Sequence, residues 1–336
     1  MRSLYEEEDR LSVPNFPIFF IFWQNRKSMR PFPGGHRCAF TDAAAQSDRN
    51  ALPDKRFSCI MGAISWKEGN RVKLGFIGAG NMGSAIIEGI LRRQCLPADA
   101  LYVSRKHPEK GAALAQRGVH VMSDNESLVQ AVDAVVLAVK PVYVPEVLDG
   151  VREALCGKLV ISIVAGWTYE MLSKALPETA RFVRVMPNTP LAVVEGMTLI
   201  SSHCTCTEEE FAFAQEIFAA AGKVAVVEDR VFTPANGISG CGPAFVYAFI
   251  EAMADGGVRY GVPRALAYEL AAQTLIGAAK MVQETGAHPG ALKDAVCSPG
   301  GTTIEGMYAL EKGGMRAAVM DAVGATVEKT LRLSKS

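Results

Sequence analysis

An α/β protein, with an N-terminal doubly wound parallel sheet followed by an all-α part, is what this sequence predicts, and three observations predict it. At residues 72–93 a short apolar run closes in a glycine-rich turn and opens into helix-compatible sequence. Continuous apolar runs recur at 134–139 and 159–164, as parallel strands buried on both faces require. After Glu208 the pattern turns to long helical segments. Length agrees, because 336 residues suit about two domains of ~100–200 residues each.

Composition narrows the function. An apolar share of 49% supplies a core, and 35 basic residues balance 35 acidic ones. Zero net charge argues against a nucleic-acid binder, which needs a basic excess or stripe. The eight cysteines, at 38, 59, 95, 156, 204, 206, 241 and 297, have neither zinc-ribbon nor secreted-framework spacing. Cys204 and Cys206, with His203 beside them, read as loop thiols rather than metal ligands. A reducing compartment follows, the cytoplasm in the first place and the mitochondrion as the alternative.

Residues 1–70 read as an irregular leader. The apolar run 16–23 is too short for a bilayer, which takes about 20 residues. Glu6, Glu7, Glu8 and Asp9 precede it, where a secretory signal carries positive charge. From Arg30 to Asn70 the chain is Pro, Gly, Ser and charge without a period. Met29 and Met61 are internal start candidates. No membrane segment is expected.

The dinucleotide-binding part, 71–232, opens with the strand 72–77 and the turn Gly78-Ala79-Gly80-Asn81-Met82-Gly83. The three glycines serve different ends. Gly78 permits the tight turn, Gly80 the close approach of a pyrophosphate, and Gly83 the packing of helix against strand. The helix start then offers unpaired N–H groups and partial positive charge to phosphates. A second strand at 100–103 ends in Ser104, Arg105 and Lys106. An NAD enzyme places a carboxylate there for the ribose 2′-hydroxyl; a hydroxyl and two cations suit a 2′-phosphate, so NADPH is the expected cofactor, with NADH as the alternative.

The strand 134–139 ends in Lys140-Pro141 and the strand 159–164 in Ala165-Gly166. Ligands of open α/β sheets lie at the carboxyl ends of strands, so these residues border the nicotinamide. A strand at 182–186 is closed by Pro187-Asn188-Thr189-Pro190; Asn188 and Thr189 read equally as turn residues or ligand contacts. Thr207 caps a helix over 208–221, and a short strand follows at 224–227.

The helical part, 233–336, begins a long apolar helix at Gly240-Cys241-Gly242-Pro243. Another runs over 263–284 with few charges, and a helix apolar on most sides is expected in a subunit interface or tight bundle. Ser298-Pro299-Gly300-Gly301-Thr302-Thr303 precedes a helix over 304–312. Glycines followed by hydroxyls at a helix start read either as an anion-binding nest or as a capped loop. An amphipathic helix over 315–333 ends the chain.

Five segments together, FIGAGNMG (76–83), AVKP (138–141), PNTP (187–190), SGCGPAF (239–245) and above all CSPGGTTIEGMYALEKGG (297–314), resemble the pyrroline-5-carboxylate reductases. The resemblance runs from about Val72 to Leu331, and 301–314 is most similar to the third animal isoform group. It implies a Rossmann-type domain followed by a helical dimerisation domain, reduction of L-1-pyrroline-5-carboxylate to L-proline, and homodimers that assemble into decamers.

By position, Ala79, Asn81 and Met82 would line the cofactor diphosphate, with Ser104 and Arg105 at the adenosine 2′ end. Asn125 would face the adenosine, and Val139, Lys140 and Ala165 would flank the nicotinamide. Ser298 and the backbone of Gly301 and Thr302 would hold the substrate carboxylate, and Thr303 would bond the ring nitrogen. Where some relatives place an asparagine against the cofactor this chain has Ala295, and an acidic substrate-side residue falls at Asp229, beside Glu228. A β-hydroxyacid dehydrogenase is the rival enzyme, but its second-domain lysine has no counterpart in 240–246. A nucleotide sensor without catalysis would need neither the hydroxyl at 303 nor the nest.

Overall fold

The computed structural model describes residues 71–334. The leader expected over 1–70 lies outside the described residues. The described chain builds one eight-stranded sheet: β1 (Leu74–Ile77), β2 (Leu101–Ser104), β3 (His120–Met122), β4 (Ala134–Leu137), β5 (Leu159–Ser162), β6 (Arg181–Met186), β7 (Gly196–Ser201) and β8 (Gly222–Val227). The helices in chain order are α1 (Asn81–Arg93), α2 (Ala112–Ala115), α3 (Asn125–Ala131), α4 (Val144–Val151), α5 (Tyr169–Ala175), α6 (Glu208–Ala219), α7 (Asp229–Ser239), α8 (Gly242–Arg259), α9 (Arg264–Thr285), α10 (Pro289–Ala295), α11 (Thr302–Lys312) and α12 (Met315–Leu333).

The strand order is β3-β2-β1-β4-β5-β6-β7-β8. Strands β1 to β6 pair in parallel. β7 runs antiparallel to β6, and β8 parallel to β7. The order reverses between β1 and β4, which opens a crevice at their carboxyl ends.

Strand side chains alternate between two cores because their period is two. Leu74, Phe76, Ala134, Val136, Leu159 and Ile161 pack with Ile86 and Ile90 of α1 and Ile217 and Phe218 of α6. Ile77, Val135, Leu137 and Val160 pack on the other face with Leu128 of α3, Leu148 of α4 and Leu172 of α5. The doubly wound α/β fold read from the sequence is therefore present.

Thr207 caps α6 as expected. Its side chain accepts from the Glu210 N–H at 3.3 Å while Glu210 Oε2 accepts from the Thr207 N–H at 3.1 Å, a reciprocal capping box. Sequence patterning does not predict six of the elements: α2, β3, α3, α5, β7 and α7. α7 holds Pro234 in its interior, which costs a helix a backbone bond. Tertiary packing overrides it. Phe232 is buried, and a Cβ at Gly237 would stand 2.9 Å from Val327 of α12, so only glycine lets the two helices meet so closely. The domain boundary expected at 232/233 falls inside this helix.

α8 and α9 pack side by side and leave much of their apolar surface open. Leu270 is 53% exposed and Ile276 49%. The stretch Asp229–Arg259 reaches a mean hydropathy of 1.2 with little burial, and the same bare surface accounts for it.

Candidate active site

The glycine turn between β1 and α1 does what its spacing demands. Gly78 has φ +94°, a left-handed conformation that disfavours side chains, and its N–H bonds the Ser104 carbonyl at 3.0 Å. A Cβ there would meet Ala138 O at 2.8 Å and Val139 Cγ1 at 3.0 Å, so the turn and the end of β4 close on each other. A Cβ at Gly83 would stand 2.5 Å from the Gly78 carbonyl oxygen; the helix can start this close to the strand only without one. Gly80 differs, because a Cβ on it would meet nothing within 4 Å. The chain's own packing does not require that glycine, whereas a group lying over the turn does.

α1 starts at Asn81 with Gly80 as N-cap and no side-chain cap, leaving first-turn N–H groups for an anion. Ala79 is buried, Met82 half-buried and Asn81 exposed at the mouth. Ser104 is buried at the end of β2, and its hydroxyl donates to Asn125 Oδ1 at 2.6 Å. Two of the three residues assigned to the adenosine end thus stand together, and the third, Arg105, follows half-buried. Along the same edge Val139 is half-buried, and Lys140 and Ala165 are exposed. This crevice, with open space over Gly80 and an uncapped helix behind it, fits a dinucleotide.

The carboxyl edge continues to β6. Asn188 is buried, donates from Nδ2 to the Ser239 carbonyl at 2.9 Å and accepts from the Met197 N–H at 2.8 Å. It therefore ties the exit of β6 to the end of α7, a role beyond that of a turn residue. α12 reaches the edge too, since Leu333 Cβ lies 3.6 Å from the Cβ position of Gly166.

In the signature loop Gly300 has φ +68°, and the Gly301 N–H bonds the Ser298 carbonyl at 3.0 Å. Ser298 Oγ folds over Gly301, at the N-cap of α11. α11 opens at Thr302-Thr303 with no side-chain cap, so the hydroxyls do not cap the helix and its first N–H groups have no side-chain partner. Ser298, Thr302 and Thr303 are exposed and Gly301 half-buried. The loop sits on α11, which packs against α12.

Asp229 occupies the first turn of α7. Its carboxylate accepts from Arg184 Nη1 at 3.1 Å and from Ser201 Oγ, and it faces His203 Nδ1 at 3.5 Å. His203 stacks on Tyr169 at 3.6 Å between centroids, and the Arg184 guanidinium lies 4.4 Å from the Phe232 ring. Burial pushes the Arg184 guanidinium below its ordinary value, and the Asp229 and Glu170 carboxylates pull it back up. The structure thus gathers Asp229 into a cluster joining β6, β7 and α5 to α7. Sequence reasoning missed Arg184; a cation inside the apolar run 182–186 was the available signal. Cys206 lies close to Cys204, and burial pushes its thiol well above the usual range, which disfavours the reactive thiolate.

Comparison with known proteins identifies relatives of both parts of the chain. Residues 229–333 match the family model for pyrroline-5-carboxylate reductase dimerisation, and residues 73–166 match the model for NADP oxidoreductase coenzyme F420-dependent. Pyrroline-5-carboxylate reductase of Escherichia coli is 46% identical over 267 residues, covering 79% of this chain and 99% of that protein. Pyrroline-5-carboxylate reductase 3 of Danio rerio is 37% identical over 78% of this chain and 92% of that one. The crystal structure of Plasmodium falciparum pyrroline carboxylate reductase with NADP bound superposes with a TM-score of 0.74 at 35% identity, covering 79% of this chain and 98% of that chain.

Proposed function

The chain belongs to the pyrroline-5-carboxylate reductase family, and from that premise we infer that it reduces L-1-pyrroline-5-carboxylate to L-proline, the last step of proline biosynthesis. The observation that carries the reading is a pair of uncapped helix starts, α1 after Gly80 and α11 after Gly301. One suits the phosphates of a nicotinamide dinucleotide and the other the carboxylate of a small imino acid.

When bound, the reduced nicotinamide supplies the hydride. The protein's own residues do the rest. Gly78, Ala79, Gly80, Asn81, Met82 and Gly83 receive the diphosphate, Ser104, Arg105 and Asn125 the adenosine end, and Val139, Lys140 and Ala165 border the nicotinamide end. Ser298 with the amides of Gly301 and Thr302 holds the substrate carboxylate. Thr303 bonds the ring nitrogen and fixes the ring's orientation. The cyclic imine protonates readily and its iminium carbon is already electrophilic, so the site has to position it, and no strong general acid is needed. Asp229 acts on the substrate side by fixing the start of α7.

NADPH is the preferred donor on this reading, because Ser104, Arg105 and Lys106 stand where a ribose-binding carboxylate would be. The bare face of α8 and α9 covers itself with a second copy, giving a homodimer, and dimers assemble into a decamer. We place the enzyme in the cytoplasm.

The test follows NADPH absorbance with the purified full chain and freshly prepared pyrroline-5-carboxylate, with NADH run in parallel. Rapid oxidation that yields proline, faster with NADPH, is the expected result. NADPH binding without turnover would remove the reductase reading and favour a β-hydroxyacid dehydrogenase or a nucleotide sensor.

A further inference from the structure

Arg184 is a buried cation without a part in the chemistry of the site. Its side chain, on β6, is 12% exposed and meets α7 twice. Nη1 donates to Asp229 Oδ1 at 3.1 Å, and the guanidinium lies 4.4 Å from the Phe232 ring. Residues 229 and 232 share one face of the helix. Further along the same strand direction, Asn188 Nδ2 donates at 2.9 Å to the carbonyl of Ser239, the last residue of α7. From 229 to 239 a helix rises about 15 Å, and from 184 to 188 an extended strand rises about 13 Å. The two fastenings match in length, so β6 holds α7 alongside itself at both ends.

α7 needs that hold. Pro234 in its interior removes a backbone bond, and no side chain caps its start. The helix then passes its position on. α12 lies across it at Gly237, where a Cβ would stand 2.9 Å from Val327. α12 also packs on α11, whose first turn is Thr302-Thr303. At its far end Leu333 comes within 3.6 Å of the Cβ position of Gly166, beyond the exit of β5. Packed elements thus lead without a break from Arg184 to the signature loop and to the nicotinamide edge.

We propose that Arg184 is a positioning residue for hydride transfer. Acting through Asp229, α7 and α12, it sets the register of the loop 298–303 against the nicotinamide edge, and so the distance between hydride donor and imine carbon. Reacting atoms must come within ~3–3.5 Å, and a misplacement of about 1 Å caused far from the chemistry costs about a hundredfold. A guanidinium suits the task, because it is planar, always charged and stacks on aromatic faces. The proposal rests on the reductase reading and adds to it a residue that acts from outside the site.

Single turnovers of the full chain, with enzyme in excess over NADPH and saturating pyrroline-5-carboxylate, are the test. Their rate constant reports the hydride step whatever fraction of the enzyme is folded. Arg184→Met keeps the length of the side chain and removes its charge. Asp229 retains the Ser201 hydroxyl, so the variant should fold. Its rate constant should fall about tenfold to a hundredfold, with the NADPH dissociation constant unchanged. Arg184→Lys restores a cation without the flat stack and should lie between that variant and the wild type. Gly237→Ala parts α7 from α12 without touching a charge and should slow the same step. An unchanged rate constant in Arg184→Met or Gly237→Ala would overturn the proposal; with a lower melting temperature it would mark a merely structural role. So would a weaker NADPH constant, which would make Arg184 part of cofactor binding. A wild type that does not oxidise NADPH would instead sink the reductase reading, so the two failures are distinguishable.

Discussion

Thr303 is exposed in the first turn of α11 and caps nothing, so its replacement should report on chemistry rather than on folding. Thr303→Ala is expected to lower kcat by about tenfold or more, the worth of one hydrogen bond to a charged group, with NADPH affinity unchanged. Single-turnover kinetics with a parallel binding titration would check this, and unchanged turnover would remove Thr303 from the site. Arg105→Ala should raise the KM for NADPH roughly tenfold to a hundredfold while leaving NADH nearly untouched, since only NADPH carries the 2′-phosphate. Asp229→Asn removes one partner from a cluster in which Arg184 is mostly buried. A loss of about 1.5–3 kcal/mol in denaturant unfolding is expected, because a mostly buried guanidinium loses its hydrogen-bonded carboxylate. A KM effect without that loss would return Asp229 to direct substrate contact.

Two glycines of one turn separate binding from folding at the level of the β1–α1 unit. Gly80→Ala adds a methyl to open space, and Gly83→Ala drives one against the Gly78 carbonyl. Both should lose NADPH affinity. Gly83→Ala alone should lose stability as well, by about 1–3 kcal/mol for a forced backbone shift. Calorimetry with and without NADPH reads both quantities; equal destabilisation would mean that Gly80 also serves packing. Other elements were legible for the same local reasons. Thr207 and Glu210 are three residues apart and close the capping box of α6. The boundaries of α12 at 315 and 333 agree with those that sequence patterning predicts. α7 was not legible, because Pro234 and Gly237 speak against a helix until α12 lies across it.

The molecule as a whole leaves α8, α9 and α12 with apolar side chains facing outward, Met320 among them at 67% exposure. A surface of this kind belongs to a subunit interface. Leu270→Glu should shift the assembly towards monomer in light scattering, and the melting temperature should become concentration-dependent. An unchanged mass would place the interface elsewhere. β7 was not legible in the sequence for a related reason. Its alignment antiparallel to β6 follows from the connection through 187–195, and a six-residue strand carries no mark of its direction.

By itself the sequence determined the doubly wound fold, the glycine turn between β1 and α1 and the family to which the chain belongs. Each of these is written in residues a few positions apart, whose backbone geometry is set locally by glycine, by proline and by side chains that reach the next turn. The tertiary structure alone decided which distant residues meet. Ser104 meets Asn125 across 21 positions, Arg184 meets Asp229 across 45, and Asn188 meets Ser239 across 51. Such pairings depend on the packing of whole elements, in which each partner could have been satisfied by water or by another group. The chain records the residues and the fold chooses among the pairings, and that choice set the α7–α8 turn on the carboxyl edge of the sheet.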